Sequence, residues 1–209
     1  MNSAVRLLLI DNYDSFTFNL VHALEASGRC AVTVKRCDEV LPGEVVNYDA
    51  AVISPGPGLP SELPGLTERT EEACASGKPV LGICLGFQAM ALHFGARLKN
   101  LSRVHHGVAH TMVRASDAEM FTGLPAKFTA GRYHSWVVES GSLPPAWRVT
   151  CRDEAGEIMA AAHRRLPLWG IQFHPESVLT PEGRVILGNF LDSIFLLRDS
   201  APAQLAEAR

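Results

Sequence analysis

A chain of 209 residues with a net charge of −3 has room for one large core but no basic patch with which to grip nucleic acid. Its residues are 47% apolar and 20% charged, as in an ordinary globular enzyme, and no apolar run reaches the length of a bilayer span. Five cysteines without paired spacing exclude a disulfide framework and point to reduced thiols.

Met1 to Arg6 leads directly into an apolar run with no resemblance to a signal peptide, so a cytoplasmic chain is expected. Val5 to Ile10 is continuous enough to be a strand buried on both faces. Asp11-Asn12-Tyr13-Asp14 is a polar turn, with Asp14 or Ser15 expected as an N-cap. Phe16, Leu20 and Leu24 then recur at helical spacing until Gly28. Ala31 to Lys35 and Ala50 to Ile53 read as strands, and Leu66 to Ser76 as a helix stopped by Gly77 and Pro79. The stretch from Pro79 to Gln88 reads as a strand, a sharp turn and a helix over roughly Leu85 to Phe94. Strands separated by helices predict an α/β fold, with an open, mostly parallel sheet and flanking helices. The carboxyl ends of the strands then bring Asp11, Ser54 and Cys84 to one edge.

From Arg97 onward the pattern shortens. Thr111 to Val113, Phe128 to Thr129, Trp136 to Glu139 and Trp147 to Thr150 suggest an antiparallel extension packed on the main sheet. Ile158 to His163 and Leu168 to Phe173 read as a hairpin. Thr180-Pro181-Glu182 is a helix start, followed by the apolar stripe Ile186, Phe190, Ile194 and Leu197. One domain over 1–198 is expected, with 199–209 as a flexible tail.

Three places carry chemistry. Gly82 and Gly86 flank Cys84 in the Gly-x-Cys-x-Gly spacing of a nucleophile elbow, where a helix N-terminus points at the sulfur. Gln88, four residues on, rises on the same helical face. Ser54-Pro55-Gly56-Pro57-Gly58-Leu59-Pro60 is a stiff loop able to aim an N–H at an oxyanion. His174-Pro175-Glu176 sets a base and an orienting carboxylate two residues apart. Singly, these read as a buried small hydrophobe, a surface turn and a polar loop; together they make a thiol active site. There is no metal-ligand spacing, and His105, His106 and His110 read as polar surface. Neither a metal nor a cofactor is expected.

These residues resemble the class I glutamine amidotransferases, from about Leu7 to Phe195. More narrowly the chain is similar to component II of anthranilate synthase and the glutaminase subunit of aminodeoxychorismate synthase. The resemblance rests on Asp11 to Phe16, Ser54 to Gly58, Gly82 to Gln88, His106-Gly107, Arg132 to Ser135 and Gly170 to Ser177. It implies a flavodoxin-like core and Cys84 attacking the side-chain amide of L-glutamine. It implies His174 as base, Glu176 as its orienter, and the amides of Gly58 and Leu85 as oxyanion hole. Gly56, Pro57, Gly58 and Gln88, with backbone at Ser135 and Trp136, would hold the substrate. Ammonia would pass to a chorismate-binding synthase on a separate chain, and Asp14, Ser15 and Phe16 are expected at that interface.

Three positions depart from the pattern. Phe87 stands where many relatives have His, Trp136 replaces a common Leu, and Val108-Ala109-His110 replaces Lys-Thr-Ser. Two other classes fit less well. A γ-glutamyl thiol hydrolase would share Cys and His but would not be expected to carry Asn-Tyr-Asp-Ser-Phe. A non-catalytic module of the same fold would tolerate loss of Cys84, His174 or Glu176.

Overall fold

The computed structural model describes residues 4–102 and 106–206, so His105 and both chain ends lie outside the described residues. In chain order the elements are β1 (Val5–Asp11), α1 (Thr17–Glu25), β2 (Cys30–Arg36), β3 (Ala50–Ile53), α2 (Leu66–Ala75), β4 (Val80–Ile83) and α3 (Leu85–His93). There follow β5 (Leu98–Asn100), β6 (Val108–Arg114), β7 (Lys127–Arg132), β8 (Trp136–Val138), β9 (Trp147–Asp153), β10 (Ile158–His163), β11 (Leu168–Ile171) and α4 (Gly183–Ala206).

The apolar runs form a parallel sheet in the order β2-β1-β3-β4-β11 because both of its faces are covered. Alternate residues of β1 go to opposite sides. Leu7 and Leu9 pack with Leu20 and Leu24 of α1 and Ile186 and Phe190 of α4. Leu8 and Ile10 pack with Leu66 of α2 and with Phe87 and Met90 of α3. The result is the doubly wound order of flavodoxin-like folds, in which sites gather at the carboxyl ends of the strands.

The antiparallel part is arranged differently from the expectation. β10, β9, β6 and β7 continue the main sheet beyond β11, giving nine strands in one surface. The edge of β11 would otherwise carry a row of unpaired backbone groups, and β10 fills it directly by the hairpin. Only β5 and β8 form a separate pair among the described residues. β11 is therefore an interior strand, parallel to β4 with Ile171 opposite Ile83.

Two helix starts also differ. Phe16, rather than Asp14 or Ser15, occupies the N-cap of α1, with no side-chain cap. The chain first turns through Tyr13 in the left-handed region (φ 60°), and Asp14 accepts the Phe16 N–H at 2.9 Å. α4 begins at Gly183, three residues after Thr180, whose hydroxyl is engaged elsewhere, and it runs to Ala206. Among the described residues no helix is long and apolar enough to cross a membrane.

Candidate active site

Cys84 sits between β4 and α3 at φ 50° and ψ −103°, a conformation that costs of order 1–3 kcal/mol for a residue with a side chain. The surroundings hold it there. Its N–H donates to Ile171 O at 2.7 Å, and its carbonyl accepts from Gln88 N at 3.0 Å. The flanking glycines are needed for contact. A Cβ on Gly82 would lie 2.6 Å from Met90 Sδ, and one on Gly86 would strike the Ile53 backbone. Leu85 opens α3, so its N–H has no helical carbonyl to bond and is available beside the sulfur.

A cavity of about 120 Å³ opens onto this sulfur. Gly56, Pro57, Gly58, Leu85, Gln88, Ser135 and Trp136 all line it with Cys84, together with Tyr133 and His134. The Pro–Gly loop is pinned from below by Asn12, which sequence reasoning passed over. Asn12 N donates to Ser54 Oγ at 2.9 Å, and Asn12 Nδ2 to Ser54 O at 2.8 Å. A Cβ on Gly56 would lie 2.6 Å from Asn12 O, so only glycine fits that approach. A polar residue immediately after an apolar strand was the available signal. Gly58 turns at φ 70°, and Glu62 Oε2 accepts the next N–H, Leu59, at 2.8 Å.

His174 and Glu176 are paired at 2.6 Å between Nδ1 and Oε1, with side chains only 4% and 1% exposed. Burial works against the imidazolium, but the Cys84 sulfur and the Glu176 carboxylate hold the His174 pKa well above the ordinary 6.5. With Nδ1 taken by Glu176, Nε2 is the nitrogen left for the sulfur. The His174 backbone is fixed as well: its N–H donates to Gly131 O at 3.0 Å, and its carbonyl accepts the Thr180 hydroxyl at 2.6 Å. Thr180 Oγ1 also accepts from Gly131 N at 3.0 Å, tying β7 to the base. The Tyr133 ring meets His174 edge-on at 4.8 Å, and its hydroxyl bonds Ser177 Oγ at 2.9 Å.

The remaining predicted residues divide. Trp136 takes part through its backbone: its carbonyl accepts from Gln88 Nε2 at 2.9 Å, so the exchange of Leu for Trp leaves that contact intact. The carbonyl of Ser135 accepts from Leu101 N at 2.7 Å. Phe87 is fully buried, stacked at an angle on Trp147 at 6.5 Å and away from the cavity, which makes its departure a packing change. Asp14, Ser15 and Phe16 do not line the small cavity. Phe16 lines a second one of about 470 Å³, shared with Tyr133, His174 and Glu176. Burial raises the Asp14 carboxyl pKa; the Phe16 N–H and the His174 charge oppose that shift, and the nearby Glu176 adds to it. Of Val108-Ala109-His110, on β6, Val108 is exposed.

The family described as glutamine amidotransferase class-I matches residues 8–194. The chain belongs to the class-I glutamine amidotransferases. Among curated relatives, this amidotransferase is 45% identical to an aminodeoxychorismate synthase from Streptomyces griseus and 40% identical to the bifunctional protein TrpGD of Thermotoga maritima. Each match covers 90% of the chain, which spans only 26% and 32% of those relatives. It is 42% identical to anthranilate synthase component 2 of Mycobacterium tuberculosis, over 90% of this chain and 82% of that one. A crystal structure of a glutamine amidotransferase from Thermotoga maritima has the same fold, with a TM-score of 0.77 at 19% identity over 93% of this chain and 97% of that one.

Proposed function

We propose that this amidotransferase hydrolyses L-glutamine at Cys84 and delivers the ammonia to a chorismate-aminating synthase subunit, as anthranilate synthase component II does. The observation that carries the reading is the strained Cys84 elbow opening into a cavity with a buried His174–Glu176 pair behind it. His174 takes the Cys84 thiol proton, and Sγ attacks the side-chain amide carbon of glutamine. The N–H groups of Gly58 and Leu85 receive the oxyanion, each worth about 100- to 1,000-fold in rate. His174 gives a proton to the departing nitrogen, which leaves as ammonia, and Glu176 orients the ring. The γ-glutamyl thioester is then attacked by water, whose proton passes to His174, and glutamate leaves as Cys84 is restored. The Gln88 amide nitrogen is committed to Trp136 O and to Gln172, so Oε1 is left to accept from the substrate ammonium. The steps use only groups of this chain, glutamine and water.

A second reading keeps the same chemistry with a different acceptor. The Streptomyces relative, at 45% identity, is an aminodeoxychorismate synthase, so the synthase subunit served could be of that kind or of both. The acceptor chemistry belongs to the partner; the aromatic product of the copurified complex distinguishes the cases. All five cysteines are free, which fits a reducing cytoplasm.

The test is Cys84→Ser in complex with the synthase subunit. Glutamine-dependent synthesis is expected to vanish while synthesis from ammonium persists. Near-normal glutaminase activity in Cys84→Ser would overturn the mechanism.

A further inference from the structure

The loop after β11 carries a side chain that the mechanism above does not use. Gln172 is completely buried, an expensive place for a primary amide unless both ends are bonded. Both are. Its Nε2 donates to Cys84 Sγ at 3.5 Å, and its Oε1 accepts from Gln88 Nε2 at 3.2 Å. Gln88 Nε2 donates in turn to Trp136 O at 2.9 Å. Two glutamines thus form a continuous chain from the nucleophile to the cavity wall. Sheet register places the chain: Ile171 lies opposite Ile83, Cys84 N bonds Ile171 O, and the next residue on each strand is Gln172 beside Cys84. The Gln172 backbone N–H is spent on Met159 O at 2.9 Å, which fixes the side chain's root.

We propose that Gln172 is a positioning residue for the nucleophile. It holds the sulfur by an N–H donor, and through Gln88 it couples the sulfur to the wall that receives the amino-acid end of the substrate. The proposal rests on Cys84 being the nucleophile. A donor to sulfur matters most when the sulfur carries negative charge, before attack and again when the thioester breaks, because hydrogen bonds to charged acceptors are the stronger ones. A residue that merely filled space would be replaceable by any apolar side chain of equal volume.

Two variants separate the ends of the chain. Gln172→Glu keeps an acceptor for Gln88 but removes the donor and brings a carboxylate to the sulfur. Gln172→Met keeps the volume and removes both ends. In Gln172→Glu, kcat for glutamine hydrolysis is expected to fall by about tenfold or more with KM within about twofold of the parent. In Gln172→Met, kcat falls and KM also rises, because Gln88 has lost its partner. Alkylation of Cys84 by iodoacetamide, read on protein of parental melting temperature, slows in both. A kcat within about twofold of the parent in folded Gln172→Met overturns the proposal, as does a change confined to KM in Gln172→Glu. A variant that does not fold leaves the other to decide, since each removes the donor. All kinetics are read in complex with the synthase subunit: an inactive parent complex would count against the glutaminase reading, and an active one with indifferent Gln172 variants counts only against this one.

Discussion

Cys84 differs from the other cysteines by its surroundings rather than by its burial. Burial pushes the Cys30 thiol up to about 11 and the Cys74 and Cys151 thiols to about 12. Those three stay protonated at neutral pH, and a protonated thiol is a poor nucleophile. Cys84 has an imidazole and an amide donor at its sulfur and a cavity in front of it. Iodoacetamide at about pH 7.5 is therefore expected to modify Cys84 ahead of the three, and glutamine should protect it. A peptide map with Cys30, Cys74 or Cys151 labelled as fast as Cys84 would contradict this. His174 gives a second check with a defined sign. Its burial lowers the pKa, while Cys84 and Glu176 raise it beyond that loss. Glu176→Gln removes one raising cause and leaves the burial, so the His174 titration midpoint followed by NMR should move down. An unchanged midpoint would mean the carboxylate does not act on the ring. Turnover should suffer more in His174→Ala than in Glu176→Ala, because one transfers the proton and the other orients it.

Among elements, the junction of β7, the His174 loop and the start of α4 does more than end a helix. Thr180 reads in sequence as an N-cap, yet its hydroxyl donates to His174 O and accepts from Gly131 N. The helix gives up a cap, and the His174 backbone is fixed to the sheet instead. Thr180→Val keeps the shape and leaves two buried backbone groups without that partner. It is expected to destabilise the chain by about 1–3 kcal/mol and to lower kcat, with Thr180→Ser restoring both. Denaturant melts and steady-state kinetics on the three proteins decide it; parental kcat in Thr180→Val would show that the base is held by other contacts.

On the scale of the molecule, two cavities share Tyr133, and the His174–Glu176 pair lines the larger of them. The small one is lined by Cys84, Gly56, Pro57, Gly58 and Gln88; Phe16 and Val178 line the larger one. Phe16 and Val178, which line the larger cavity, are exposed apolar side chains. The segment from Asp11 to Phe16 is wired to the Pro–Gly loop through Asn12 and Ser54. A synthase subunit docking there could reset the Gly58 N–H without touching Cys84. We expect the lone chain to be a weak glutaminase whose kcat rises when the synthase binds, by about 100- to 1,000-fold if one oxyanion donor is at stake. Substitutions in Asp14-Ser15-Phe16 should blunt the rise and leave the fold intact. Equal kcat for the lone chain and the complex would refute the coupling.

Features that depend on near neighbours along the chain are legible in the residues alone. The apolar runs of β1, β3 and β4, the helical spacing of Leu20 and Leu24, and the elbow around Cys84 are local patterns, because side chains two or four residues apart share a face. His174-Pro175-Glu176 is local for the same reason, and its pair is bonded at a separation of two residues. The rest depends on contacts between distant parts of the chain. Gln172 meets Cys84 across 88 residues, Asn12 meets Ser54 across 42, and Thr180 meets Gly131 across 49. The antiparallel strands joined the main sheet because β11 needed a partner on its far edge, and a strand's own residues do not name the strand that will lie beside it. Pairing and register are settled by which faces are buried together, and that is known only once the chain has closed on itself.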